Sequence, residues 1–202
     1  MLIGQFLRRN AIALGAMAVA CPVIAVGLVT LLTYANTPGP AGFSPAAWPV
    51  AASLAPRAGR STLLLFAHPG CPCTTASIAE LSRIMAVAHT KMDAVVYFVL
   101  PAGAPGDWRE NSLWDAAALI PGVRAAADPE GAEARRFGAR TSGQSLVYDA
   151  SGQLVFSGGI TAARGHEGDS DGRAAILKLA SGEAPARTFV TPVFGCILVG
   201  DR

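Results

Sequence analysis

From Ala11 to Tyr34 the chain runs 24 residues without a charged side chain, AIALGAMAVACPVIAVGLVTLLTY. Inside a bilayer a backbone must satisfy its own hydrogen bonds, which leaves the helix as the form for a single span. About 20 apolar residues are enough to cross the hydrocarbon core. Gly15, Pro22 and Gly27 are tolerated better in such a helix than in a soluble one. A cleaved signal peptide is the rival reading, but its apolar region is shorter, about 7–15 residues, and ends in a small-x-small site. Tyr34-Ala35-Asn36 fits that site poorly, so a transmembrane helix over 11–34 is expected. Arg8 and Arg9 precede it and no basic residue follows until Arg57, which assigns residues 1–10 to the cytoplasm and the rest to the far side. Cys21 lies within the run and reads as a small hydrophobe.

Charge is scarce elsewhere too. Charged residues make up 15% of the chain and apolar ones 51%, a composition opposite to that of disordered chains. All 14 acidic residues lie at or beyond Glu80, and 14 Lys and Arg lie beyond residue 34, so that part is neutral. The net +2 therefore comes from Arg8 and Arg9, and nothing resembles the basic stripe of a nucleic-acid binder. Residues 35–60 hold five prolines and many alanines with no periodic pattern. Such a segment is expected to be an extended, semi-rigid linker holding the following domain off the membrane. Trp48 within it suits either an interfacial anchor or packing against the domain.

The remainder, 61–202, has the length of one domain. Ser61–Ala67 and Asp93–Leu100 are continuous apolar runs, the pattern of strands buried on both faces. Thr74–Thr90 carries Ile78, Leu81, Ile84, Met85 and Ala88 at helical spacing, with Ser77-x-x-Glu80 as a candidate capping box and Thr74 or Thr75 as other starts. Helices are also expected over Trp108–Ile120, Pro129–Phe137 and Asp171–Ala180, with a short strand at Val123–Ala127. Ser145–Asp149 and Gln153–Phe156, joined by Ala150-Ser151-Gly152, read as a hairpin. The order βαβα(β)αββα gives parallel pairs first and antiparallel ones after: an α/β fold with a mixed sheet flanked by helices.

The chemistry concentrates at His68-Pro69-Gly70-Cys71-Pro72-Cys73-Thr74, where a buried strand turns into a helix. Thiols at a helix N-terminus meet free N–H groups and the positive end of the dipole, which favour thiolate, the nucleophile of disulfide exchange. A Cys71–Cys73 bond would close a small ring stiffened by Pro72, so it is expected to be reactive rather than structural. Cys196, in the terminal Thr191-Pro-Val-Phe-Gly-Cys196 segment, adds a third thiol. It reads as a partner for Cys71 or Cys73, as a free thiol for intermolecular pairing, or as a static staple.

Strand, Pro-x-Cys turn, helix, a further βα unit and a terminal hairpin-helix resemble the three-layer thioredoxin-like fold. With the membrane helix, the chain is similar to bacterial membrane-anchored thiol–disulfide proteins of the TlpA/ResA kind. The His-Pro-Gly-Cys-Pro-Cys run and the TPVFGC tail resemble, more narrowly, RedB-like proteins. The resemblance implies a periplasmic thiol–disulfide oxidoreductase, single-pass in the bacterial inner membrane, acting on a protein thiol or disulfide partner without a cofactor. It puts substrate attack on Cys71, with Cys73 as its companion and His68, Pro72 and Thr74 in support. The family's resolving cysteine falls at Thr74, and its proline before the hairpin strand falls near Gln144, where Thr141-Ser-Gly-Gln144 has none.

Two other classes fit the same residues. His68, Cys71, Cys73, Cys196 and His166 are soft ligands suited to copper or zinc, though the second close pair of structural zinc sites is missing. A non-catalytic thioredoxin-like binding module would use the cysteines only structurally. Gly158–Asp169 is glycine-rich and carries Arg164, His166, Glu167 and Asp169, but matches no phosphate-binding motif. Its plain reading is a solvated turn capping the last helix through Asp169 or Asp171. His89 near a helix end complements the dipole, and Arg135 and Arg136 read as an exposed helix face.

Overall fold

The computed structural model describes residues 2–40, 42–100, 103, 112–183 and 185–198. The chain divides into two compact units, 1–37 and 38–202. The first is a single helix, α1 (Leu2–Asn36), which continues through Pro22. Within it Ala13–Asn36 contains an 18-residue window of mean hydropathy 2.3 and is long and apolar enough to cross a membrane by length and composition. At 1.5 Å per residue these 24 residues reach about 36 Å, against a hydrocarbon core of about 30 Å.

The second unit is built on a six-stranded sheet. Its strands are β1 (Ser61–Ala67), β2 (Met92–Leu100), β3 (Val123–Pro129), β4 (Gln144–Tyr148), β5 (Leu154–Gly159) and β6 (Phe189–Val190), in the order β3-β2-β1-β4-β5-β6. β1 pairs in parallel with β2, and β2 with β3. β4 runs antiparallel to both β1 and β5. The motif strand β1 is therefore central. Its alternating side chains feed two cores: Leu63, Leu65 and Ala67 pack with α2 (Pro72–Ala88), α3 (Ser112–Ala118) and α5 (Asp171–Ala180), while Leu64 and Phe66 pack with Phe137 behind α4 (Ala132–Arg136). Helices on both faces of a mixed sheet make the three layers, and the fold is thioredoxin-like.

Several local expectations need correction. α2 begins at Pro72, two residues before the earliest expected start, with Cys71 as its N-cap. Proline is pre-organised for that first helical position and loses no needed N–H there. The Ser77–Glu80 box does not form. Ser77 Oγ bonds back to the Cys73 carbonyl, and Glu80 is drawn to partners outside the helix. Pro129 ends β3 rather than opening a helix; the buried Asp128 carboxylate accepts from the N–H groups of Glu133 and Ala134 and so starts α4 at Ala132. The N-cap of α5 is Ser170, not an aspartate. The first residues of the helix expected from Trp108 lie outside the described residues.

The proline-rich segment is not a free spacer. Beyond Thr37 it belongs to the domain's own unit. The Trp48 N–H donates to the Gly152 carbonyl and Leu154 N–H to that of Ala46, so the segment borders the β4–β5 hairpin. The Trp48 ring stands edge-on to Phe137 and Tyr148, with centroids 5.1 and 5.2 Å away. Tyr148 Oη bonds the Pro45 carbonyl at 3.0 Å. The segment turns at Pro49–Ala52 and at Arg57–Arg60 rather than running extended, and its aromatic residue closes the core beneath it. Of the two readings for Trp48, the structure bears out packing.

Candidate functional site

β1 ends at Ala67, and the chain turns through His68-Pro69-Gly70 to place Cys71 at the head of α2. The turn is braced by hydrogen bonds. Cys71 N–H donates to the His68 carbonyl at 3.1 Å, and Gly70 N–H donates to His68 Nδ1, also at 3.1 Å. Thr74 Oγ1 donates to the His68 carbonyl at 2.9 Å, closing the turn from the helix side. Ser142 Oγ accepts from His68 N–H at 2.9 Å and meets Thr74 Oγ1 at 3.0 Å. Thr74, where the resemblance would put a resolving cysteine, is thus a brace between the turn and the loop before β4. His68 serves the turn through its ring nitrogen.

The C-terminal segment lies across this turn. Ser142 N–H donates to the Cys196 carbonyl at 2.7 Å and Leu198 N–H to the Arg140 carbonyl at 2.9 Å, forming a bridge between Thr141 and Ile197. Gly159 N–H donates to the Pro192 carbonyl, and Arg164 Nη1 donates to that of Gly195. Val193, Phe194 and Leu198 are buried. A Cβ on Gly195 would stand 1.9 Å from the Ser142 carbonyl oxygen, so only glycine permits this approach. The strap is part of the domain.

Its effect is to set Cys196 Sγ 2.9 Å from Cys71 Sγ, across 125 positions of chain. Cys71 and Cys73 are 2% and 8% exposed, while Cys196 is half-buried. The three thiols differ in acidity. Burial opposes the Cys71 thiolate, but hydrogen bonds from Cys196 and, beyond it, Cys73 outweigh burial and hold Cys71 below the ordinary thiol value. Burial and the neighbouring Cys71 charge push Cys73 up, with Gly165 N–H and Arg164 offsetting part of this. The bond Cys196 gives to Cys71, together with burial, raises Cys196 to about 11. The most acidic of the three thiols, Cys71, is therefore flanked by two whose ionisation is opposed.

The glycine-rich loop is also fixed in place. Glu80, fully buried on α2, accepts from Gly168 N–H and from Arg173 of α5, both at 2.8 Å, and pairs with Arg83. Burial opposes its charge, but these partners hold the carboxyl below its usual range. Arg83 extends the network to Glu167. Anchored there, the loop delivers Arg164 and Gly165 to the thiols. It is a wall of the site rather than a free turn. Among the described residues no group of three or more His, Cys, Asp or Glu is arranged to hold a metal ion. His166 is exposed and Cys21 sits in α1, apart from the cluster in the chain's other unit. Ser142, Arg164, Gly165 and Gly195 were not singled out from the sequence for this site; the glycine before Cys196 was the one visible signal.

No family model matches the chain, and no curated protein sequence matches it. Among solved structures, a hypothetical protein from Sinorhizobium meliloti is similar at 20% identity and a TM-score of 0.55, over 69% of this chain and 79% of that one. An uncharacterized conserved protein from Geobacillus kaustophilus is similar at 19% identity and a TM-score of 0.55, over 82% and 93% of the two chains. A secreted Mycobacterium tuberculosis disulfide oxidoreductase homologous to DsbE of E. coli is similar at 16% identity and a TM-score of 0.42, over 62% and 84%. At these identities the likeness is one of fold.

Proposed function

We propose that the chain is a membrane-tethered thiol–disulfide oxidoreductase, held by 11–34 in a bacterial inner membrane, with its domain in the periplasm. One observation carries the reading: a thiolate-stabilised cysteine at the head of a helix has a second thiol 2.9 Å away. A disulfide needs its sulfurs at about 2.05 Å, so the pair lies within an ångström of bonding. The exchange is a two-electron couple, in which a protein disulfide and the two thiols of Cys71 and Cys196 become a protein dithiol and a Cys71–Cys196 bond. Cys71 supplies the stabilised thiolate, and Cys73 of the Cys-Pro-Cys run stands beside it as a third thiol. The helix N-terminus receives the negative charge each time Cys71 is released.

The test is redox titration of the full chain in detergent micelles against mixtures of reduced and oxidised glutathione. Reversible loss and recovery of two thiols per chain is expected, abolished by Cys71→Ser. A thiol count that does not change across the series would sink the reading.

A further inference from the structure

We propose that Cys196, on the C-terminal strap, is the sulfur that meets partner proteins, and that Cys71 behind it is the leaving sulfur of a Cys71–Cys196 disulfide. The inference rests on the thiol–disulfide reading above and assigns its partner-facing atom, on the opposite cysteine from the one the motif singles out.

Access is the first argument. Cys71 and Cys73 are almost wholly covered, whereas Cys196 is half-buried and its neighbour Ile197 is 60% exposed. A protein thiolate must come within bonding distance of the sulfur it attacks. Uncovering Cys71 instead would require lifting the strap. That would expose Val193, Phe194 and Leu198 and break the backbone bonds to Arg140 and Ser142. Attack at Cys196 needs none of that.

Chemistry points the same way. Disulfide exchange is faster when the departing thiol is the more acidic one. Attack on Cys196 releases Cys71 at the N-terminus of the 17-residue helix α2, where free N–H groups and the helix dipole stabilise the departing thiolate. Attack on Cys71 would release Cys196 from the strap, where no helix N-terminus receives the charge. In the step, one thiolate of a partner dithiol attacks Cys196 Sγ. A partner–Cys196 bond forms, the Cys71–Cys196 bond breaks, and the electron pair leaves on Cys71. The partner's second thiolate then attacks the partner sulfur, closing the partner's own disulfide and expelling Cys196 as thiolate, with Arg164 close by. The two protons given up by the partner's thiols end on Cys196 and Cys71. Two electrons have passed, and a partner disulfide is reduced by the same steps in reverse. Burial pushes the Cys73 thiol up, which disfavours its thiolate as a competitor for Cys71.

The test uses the oxidised full chain in micelles, with its disulfide mapped first and reduced glutathione as the attacking thiolate. Acid quenching at short times, alkylation and peptide mapping then locate the glutathione. A mapped Cys71–Cys196 bond is expected, with roughly tenfold more adduct on Cys196 than on Cys71, the scale set by leaving-group acidity. A Cys71–Cys73 bond, or glutathione mainly on Cys71 or Cys73, overturns the inference while leaving thiol–disulfide exchange intact. An absence of both disulfide and adduct overturns the exchange reading and the inference with it.

Discussion

Cys71 owes its acidity to donors from two parts of the chain, and the distant one is separable by mutation. Once Cys71 is ionised, Cys196 is the leading hydrogen-bond donor to its sulfur, so replacing it by alanine removes more stabilisation from the thiolate than from the thiol, which itself donates to Cys196. The Cys71 value therefore rises in Cys196→Ala. Iodoacetamide rates against pH check this in the reduced chain. The wild-type inflection is expected below the ordinary thiol value of about 8.5, and higher in the variant, with about tenfold less thiolate at neutral pH for each unit of rise. An inflection that stays in place means that the strap does not support Cys71. At this scale the sequence made the motif cysteines legible, because strand, turn and helix are contiguous. It left the partner of Cys196 open, because the strap meets the turn across 125 positions. Ser142 was equally hidden, since it reaches His68 from 74 positions away.

Elements were more legible than contacts. The runs at β1 and β2 and the helical spacing of α2 reflect burial patterns that are local, and they appear where expected. Misplaced boundaries trace to long-range partners: Asp128 decides where α4 starts, and Glu80 is claimed by the loop, by α5 and by Arg83 instead of by the helix N-terminus. β6, a two-residue strand, has too little pattern to announce itself. The Glu80 network links α2, the loop and α5, which predicts a pH dependence of stability. Its folded carboxyl lies below the ordinary value, so the unfolded chain binds the proton first as the solution is acidified. Stability from this group is full above the ordinary carboxylate value of about 4.3 and drains away as pH falls through the lower, folded value. Urea unfolding of Glu80→Gln should show a lower midpoint at neutral pH and a flatter decline in acid. Breaking a buried pair costs roughly 3–5 kcal/mol, with the lower end expected because Arg83 reaches solvent. A variant whose acid profile parallels the wild type would assign the stabilisation to other groups.

For the whole molecule, what matters is which side of a membrane the three domain thiols occupy. Disulfide exchange of the kind argued here needs an oxidising compartment, since cytoplasmic thiols are kept reduced. The charge distribution speaks to this independently of the site. Arg8 and Arg9 lie at one end of the apolar run, and the other end has no basic residue until Arg57. Retention of the positive flank in the cytoplasm would put Pro38 onward outside. The Trp48 segment is tied to the domain by its rings and backbone, which leaves the apolar run, long and apolar enough to cross a membrane, as the candidate span. Alkaline phosphatase fused after Arg202, which matures only outside the cytoplasm, is expected to be active, and a cytoplasm-dependent reporter at the same point silent. Replacing Arg8 and Arg9 by glutamate, which removes the retaining charge, should lower the phosphatase signal and raise the other. If the reporters are reversed in the unaltered chain, Cys71, Cys73 and Cys196 face a reducing compartment. The strap would then hold a dithiol, with no oxidising pool to draw on.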